Sequence, residues 1–123
     1  MDRIKNFSIS LRNAFRGLTY VIKHEKNFQN EIIFALLVIL AMLYFQVTSG
    51  EMIVLFFVIF WVLTFELFNT VMERVVDILK PRVHPYARLI KDLMAAAVLI
   101  SSLLAIIMGL IIFLPFIIRS FYR

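Results

Sequence analysis

Five polar side chains, Glu66, Asn69, Thr70, Glu73 and Asp77, interrupt an otherwise apolar stretch that reads Glu-Leu-Phe-Asn-Thr-Val-Met-Glu-Arg-Val-Val-Asp. Each residue of an α-helix turns by about 100°, so these five share one narrow face, and Leu67, Phe68, Val71, Met72, Val75 and Val76 fill the rest of the turn. Glu66 then lies roughly 10 Å along the axis from Glu73, at about 1.5 Å per residue. An acidic residue at the centre of a membrane costs about 2.5–3.5 kcal/mol on the insertion scale, so it is kept where a partner, a water pocket or a task requires it. One explanation is structural, with Glu66 and Asn69 hydrogen-bonding to neighbouring helices and holding an assembly together. The other is chemical. A deep carboxylate suits a general base that takes a proton from a hydroxyl delivered by the lipid phase. Shallower carboxylates suit a Mg²⁺ ion with bound phosphates, and lysine and arginine nearby suit the phosphates themselves.

Further polar groups are placed to join this seam. His24-Glu25 ends a basic, partly apolar segment, Lys91-Asp92 opens the last apolar run, and Arg82, His84 and Arg88 lie between. The loop cations also have a simpler reading as topology signals. Leu11, Phe15, Leu18 and Ile22 recur at helical spacing beside Arg12, Arg16, Lys23 and Lys26, which predicts an amphipathic helix in the headgroup region over about residues 8–28. A cytosolic helix on a soluble core is the alternative, but no other soluble segment exists for it to cover. Three membrane spans are expected, over about residues 31–48, 52–79 and 92–118. Pro81 and Pro85 forbid one unbroken helix between the second and third.

Composition requires a lipid environment. The chain has 123 residues, 63% of them hydrophobic and 17% charged, more apolar surface than a soluble domain of this size can hide. With no cysteine, disulfides, thiolate metal sites and cysteine nucleophiles are excluded. A net charge of +5 would allow a nucleic-acid partner, but in so apolar a chain basic residues set topology and meet anionic lipid or phosphate, and no nucleic acid is expected. Six cations precede the first span (Arg3, Lys5, Arg12, Arg16, Lys23, Lys26) and five lie between the second and third (Arg74, Lys80, Arg82, Arg88, Lys91). The connection over residues 46–51 has none, so the amino terminus and the second loop are expected in the cytoplasm of a multi-pass cell-membrane protein. Arg119 and Arg123 oppose this weakly. No cleavable signal peptide is expected, and neither repeats nor linkers divide the chain, so one membrane domain is anticipated over residues 1–123. Gly17, Gly50 and Gly109 are too far apart for a glycine-rich phosphate loop.

The string from Glu66 to Asp77 resembles the signature of the small bacterial diacylglycerol kinase/undecaprenol kinase family: glutamate, two apolar residues, Asn, Ser/Thr, two apolar residues, glutamate, then Asp four further on. Lys91-Asp92-Leu-Met-Ala95 is similar to the Lys-Asp motif that opens the family's last helix, and Arg16-Gly17-Leu18 with His24-Glu25-Lys-Asn-Phe28 to its surface-helix segment. The resemblance implies a lipid kinase that uses MgATP, a homotrimer with active sites shared between subunits, and three spans with a surface helix in each. It further implies Glu66 as catalytic base with Asn69 beside it, and Glu25 and Glu73 as magnesium carboxylates. Asp77, Arg82, Val83, His84, Lys91 and Asp92 match nucleotide-contacting positions, and Glu66, Glu31 and Ala95 are expected at the lipid substrate. Glu25 is preferred to Glu31 for the metal because it follows His24, three residues before Phe28. Two positions depart from the pattern: where some members carry an arginine and a tyrosine near the adenine, this chain has Asn6 and Asn13, and Asn13 is kept as an ATP-site candidate. Thr70, the His24–Phe28 run and His84-Pro85 lean toward the Gram-positive branch and toward undecaprenol as substrate. A non-catalytic scaffold, or an ion channel lined by Glu66, Asn69 and Glu73, are the rival readings.

Overall fold

The protein, in a computed structural model, is described over residues 1–79 and 84–123, without the side chain of His84. It consists of four helices, α1 (Asp2–His24), α2 (Lys26–Phe45), α3 (Ser49–Leu79) and α4 (His84–Phe121), with no strand among the described residues. Residues Lys26–Phe45, Ser49–Leu79 and Pro85–Phe121 are each long and apolar enough to cross a membrane. It is an all-α membrane protein.

The amphipathic helix starts earlier and stops sooner than the sequence pattern predicts. Ile4 and Phe7 extend the apolar stripe of Leu11, Phe15, Leu18 and Ile22 towards the amino terminus, while Asp2 in the first turn and Lys23 and His24 in the last suit the helix dipole. Every residue from Met1 to Tyr20 is exposed, so α1 leaves the bundle and joins it only near Val21. Glu25 adopts an extended backbone (φ −107, ψ 109) and separates α1 from α2. Its N–H donates to the Val21 carbonyl at 3.0 Å and its carbonyl accepts from the Gln29 N–H at 3.0 Å. Gln29 Nε2 also reaches back to the carbonyls of Ile22 (2.8 Å) and Lys23 (3.3 Å), which α1 would otherwise leave without partners. Phe28, expected at the end of the surface helix, is instead a buried residue of α2.

At the other end of α2 the chain reverses within three residues. Gln46 takes a left-handed conformation (φ 52, ψ 57) and closes α2. Thr48 Oγ1 accepts the Glu51 N–H at 3.2 Å and donates to Glu51 Oε1 at 3.0 Å, a reciprocal cap that opens α3. Val47, just before the cap, is buried with Met42, Leu55 and Ile112, and Met52 packs against that cluster. Phe45 adds ring contacts to Phe113 and Phe116 at centroid distances of 6.0 and 5.7 Å. This apolar cluster clamps α2 and α3 antiparallel and brings α4 alongside.

Pro85 lies in the first turn of α4, where its missing N–H would have no intrahelical partner anyway. The helix therefore begins eight residues before the expected span, at His84 rather than near Asp92. At about 1.5 Å per residue α3 is roughly 46 Å long and α4 roughly 57 Å, against a hydrocarbon core of about 30 Å. Both are longer than that core is thick, and the carboxyl-terminal turns of α3 and the amino-terminal turns of α4 lie together with the α1–α2 elbow.

Replacing Thr48 by Ala removes both halves of the cap. It is expected to lower stability by about 1 kcal/mol, with Thr48→Ser close to wild type, as measured by unfolding in mixed micelles.

Candidate active site

Glu66, Asn69 and Thr70 are all buried on the inner face of α3, and Glu66 is only 5% exposed. Thr70 satisfies its hydroxyl within the helix by donating to the Glu66 carbonyl at 3.1 Å, so its side chain stays along the seam. One turn on, the Asn69 side-chain amide donates to Glu73 Oε1 at 3.4 Å. No other described side chain hydrogen-bonds to the Glu66 carboxylate. Phe65, in ring contact with Trp61 on one side and Phe68 on the other, lies off the seam with both.

Two ion pairs mark the wet end. Arg74 Nη2 donates to Glu25 Oε1 at 2.6 Å and so ties the elbow to α3. Lys91 Nζ donates to Asp77 Oδ1 at 2.7 Å and ties α3 to the start of α4. Glu25 reaches α3 because its extended backbone throws the side chain clear of both helices it joins. Glu31 of α2, Glu73 of α3 and Glu25 of the elbow are within electrostatic range of Glu66. Repulsion between like charges is relieved by a cation or a proton.

The site residues expected from sequence are distributed as follows. Glu25, Glu73, Asp77 and Lys91 come to one end of the molecule, with Asn69 and then Glu66 deeper along α3. Asp92 is exposed beside Lys91, and Ala95 is exposed one turn further into α4. Glu31 is half-buried and heads an apolar groove of about 450 Å³ between α2, α3 and α4, which runs down past Phe34, Val38, Val62 and Gly109 to Phe113. Asn13 is exposed on the free part of α1, roughly 18 Å from the elbow at about 1.5 Å per residue, and is not brought to the other residues within this chain. Arg82 and Val83 lie outside the described residues, as does the His84 side chain. Arg74, read from sequence only as a topology signal, is the residue whose part was missed. Its adjacency to Glu73 was visible, but its pairing with a carboxylate 49 positions away was not.

Among the described residues no three His, Asp or Glu side chains form a group able to enclose a metal ion. The donors that the elbow and the seam offer, Glu25 and Glu73, are hard carboxylate oxygens. Such a set fits Mg²⁺, which is commonly held by one or two carboxylates and completed by phosphate and water.

Residues 12–113 match the family model described as prokaryotic diacylglycerol kinase. The chain is 32% identical over 114 residues to an undecaprenol kinase of Bacillus subtilis, covering 93% of each chain. It is 32% identical over 111 residues to a diacylglycerol kinase of Synechocystis sp., covering 89% of this chain and 63% of that one.

Glu66 is enclosed in an apolar helix without a hydrogen-bonding side chain, so it is expected to cost stability rather than supply it. Glu66→Leu should raise resistance to unfolding in detergent by about 1–2 kcal/mol. A clear loss of stability in that variant would assign Glu66 to holding helices together.

Proposed function

The chain belongs to the prokaryotic diacylglycerol kinase family, and from that premise we propose that it transfers the γ-phosphoryl group of MgATP to the hydroxyl of undecaprenol, in preference to diacylglycerol. Family membership makes it a lipid kinase, an ATP-using phosphotransferase with an alcohol acceptor, and its three apolar helices make it a multi-pass membrane protein. It does not favour the scaffold and channel readings. Undecaprenol is preferred because the relative covered to 93% of its length is an undecaprenol kinase, whereas the diacylglycerol kinase is covered to 63%.

The observation that carries the proposal is the polar seam of α3, which descends from the exposed Asp77–Lys91 pair to a buried Glu66. A polyprenol hydroxyl approaches from the oil and a triphosphate from the water, so the reaction needs such a graded path. Glu66 orients the hydroxyl and takes its proton as the oxygen attacks the γ-phosphorus, whose bond to the β–γ bridging oxygen breaks to release ADP. Asn69 holds Glu73 through its amide and keeps the seam aligned. Glu25 and Glu73 are the residues that would hold Mg²⁺, which when bound neutralises phosphate charge. Lys91, Asp77 and Asp92 face the nucleotide at the rim, with Arg82, Val83 and His84 assigned there by family likeness, and Lys91 steadies the transferring phosphate. The groove below Glu31 suits the acceptor's hydrocarbon chain. Positioning and charge neutralisation supply most of the catalysis in phosphoryl transfer.

The seam opens towards the cytoplasm in this reading, supported by the eleven cations of the amino-terminal segment and second loop against two at the carboxyl terminus. The active unit is a homotrimer with shared sites. That assignment rests on the likeness of the motifs, and the large apolar residues that α2 and α4 leave uncovered within one chain are compatible with it.

An ATP-dependent phosphorylation assay in mixed micelles, with undecaprenol and diacylglycerol compared with and without Mg²⁺, tests the proposal. Undecaprenol should give the higher kcat/KM, and omission of Mg²⁺ should abolish turnover. Glu66→Gln should lower kcat by about 10²-fold or more with helix content unchanged. Near-normal turnover in that variant would remove the base assignment, and a preference for diacylglycerol would reverse the substrate choice.

A further inference from the structure

We propose that Arg74 is a positioning residue that competes with the divalent cation for Glu25 and so sets how much metal the site requires. The proposal rests on the reading of Glu25 as a metal carboxylate. The contact between Arg74 Nη2 and Glu25 Oε1 is short, 2.6 Å, and charge-assisted. An oxygen that accepts a guanidinium proton at this distance does not offer the same lone pair to a cation. The positive charge itself also opposes a second one beside it. The two ligands are therefore alternatives at that oxygen.

The burial of the partners is asymmetric in a way that suits exchange. The Glu25 side chain is 20% exposed and fixed to a backbone elbow, whereas the Arg74 side chain is 56% exposed on a long, flexible stem. Arg74 can leave without unpacking a helix; Glu25 cannot. The groups facing Arg74 are Tyr20 from α1, Glu25 from the elbow and Asp77 from its own helix. A displaced guanidinium thus stays in an electronegative neighbourhood. Arg74 also follows Glu73 directly in the chain, so the residue that pairs with Glu25 is next in sequence to the other carboxylate assigned to the metal. Until the metal arrives, the ion pair keeps Glu25 turned toward α3 and limits its repulsion of Glu66.

Mn²⁺ is the probe, its binding to purified protein in micelles followed by the loss of the free-ion electron paramagnetic resonance signal, without nucleotide or turnover. Arg74→Gln should tighten the Mn²⁺ dissociation constant about two- to five-fold, the range that exposed ion pairs contribute to an equilibrium. Arg74→Lys, which keeps the charge, should stay near wild type, and Glu25→Gln should weaken binding. In the Glu25→Gln background Arg74→Gln should add nothing, because the competition then has no object. The Mg²⁺ concentration for half-maximal turnover should fall by the same factor in Arg74→Gln. Unchanged or weaker Mn²⁺ binding in Arg74→Gln, with Glu25→Gln still impaired, would overturn the role of Arg74 and leave the metal assignment standing. Equal tightening in both backgrounds would also overturn it, as a general charge effect. Wild-type binding by Glu25→Gln would remove Glu25 as a ligand, and the inference with it.

Discussion

The cost of taking a charge out of water governs this molecule. Glu66 lies within an apolar helix and Glu31 is half-buried near it, whereas Glu73, Asp77, Glu25 and Lys91 are placed where water or an opposite charge can reach them. Such a gradient needs helices longer than the bilayer's hydrocarbon core is thick. The clamp at Val47 and Thr48 supplies the opposite end, with apolar packing and a reciprocal cap but no ion pair among the described residues. One end of the bundle is thus closed by oil-compatible contacts and the other is laced by charge.

This division explains why the two ion pairs matter more for placement than for stability. Exposed pairs contribute little to folding, yet each here joins elements that the sequence separates: elbow to α3, and α3 to α4. The extended backbone at Glu25 is the hinge of the arrangement, because it turns the chain from a helix outside the bundle into one that belongs to it, and it projects a carboxylate sideways as it does so. The proposed chemistry uses that projection, since it adds a carboxylate from outside α3 to the oxygen donors of the seam.

Much of this was legible in the residues themselves. The three apolar runs, the charge asymmetry of their flanks and the i, i+3, i+4, i+7 spacing of Glu66, Asn69, Thr70 and Glu73 follow from a period of 3.6 and from the length of a membrane span. The element ends were less legible. Glu25 breaks the helix without glycine or proline to announce it, so the surface helix was expected to continue to Phe28. The sequence pattern puts the third span near Asp92 because the uncharged run begins there, and Pro85, which reads as a breaker, lies in a first helical turn where it breaks nothing.

By itself, the sequence determined that the chain is helical, that it lies in a membrane and that one of its helices carries a polar seam, because hydrophobic periodicity and desolvation act locally along a chain. Only the tertiary structure decided that Glu25 meets Arg74, that Lys91 meets Asp77, and that Asn13 stands apart from both. Contacts between helices depend on how their axes and ends are set against one another. That is fixed by the packing of Val47, Leu55 and Ile112 at the far end of the bundle, and no spacing within a single helix encodes it.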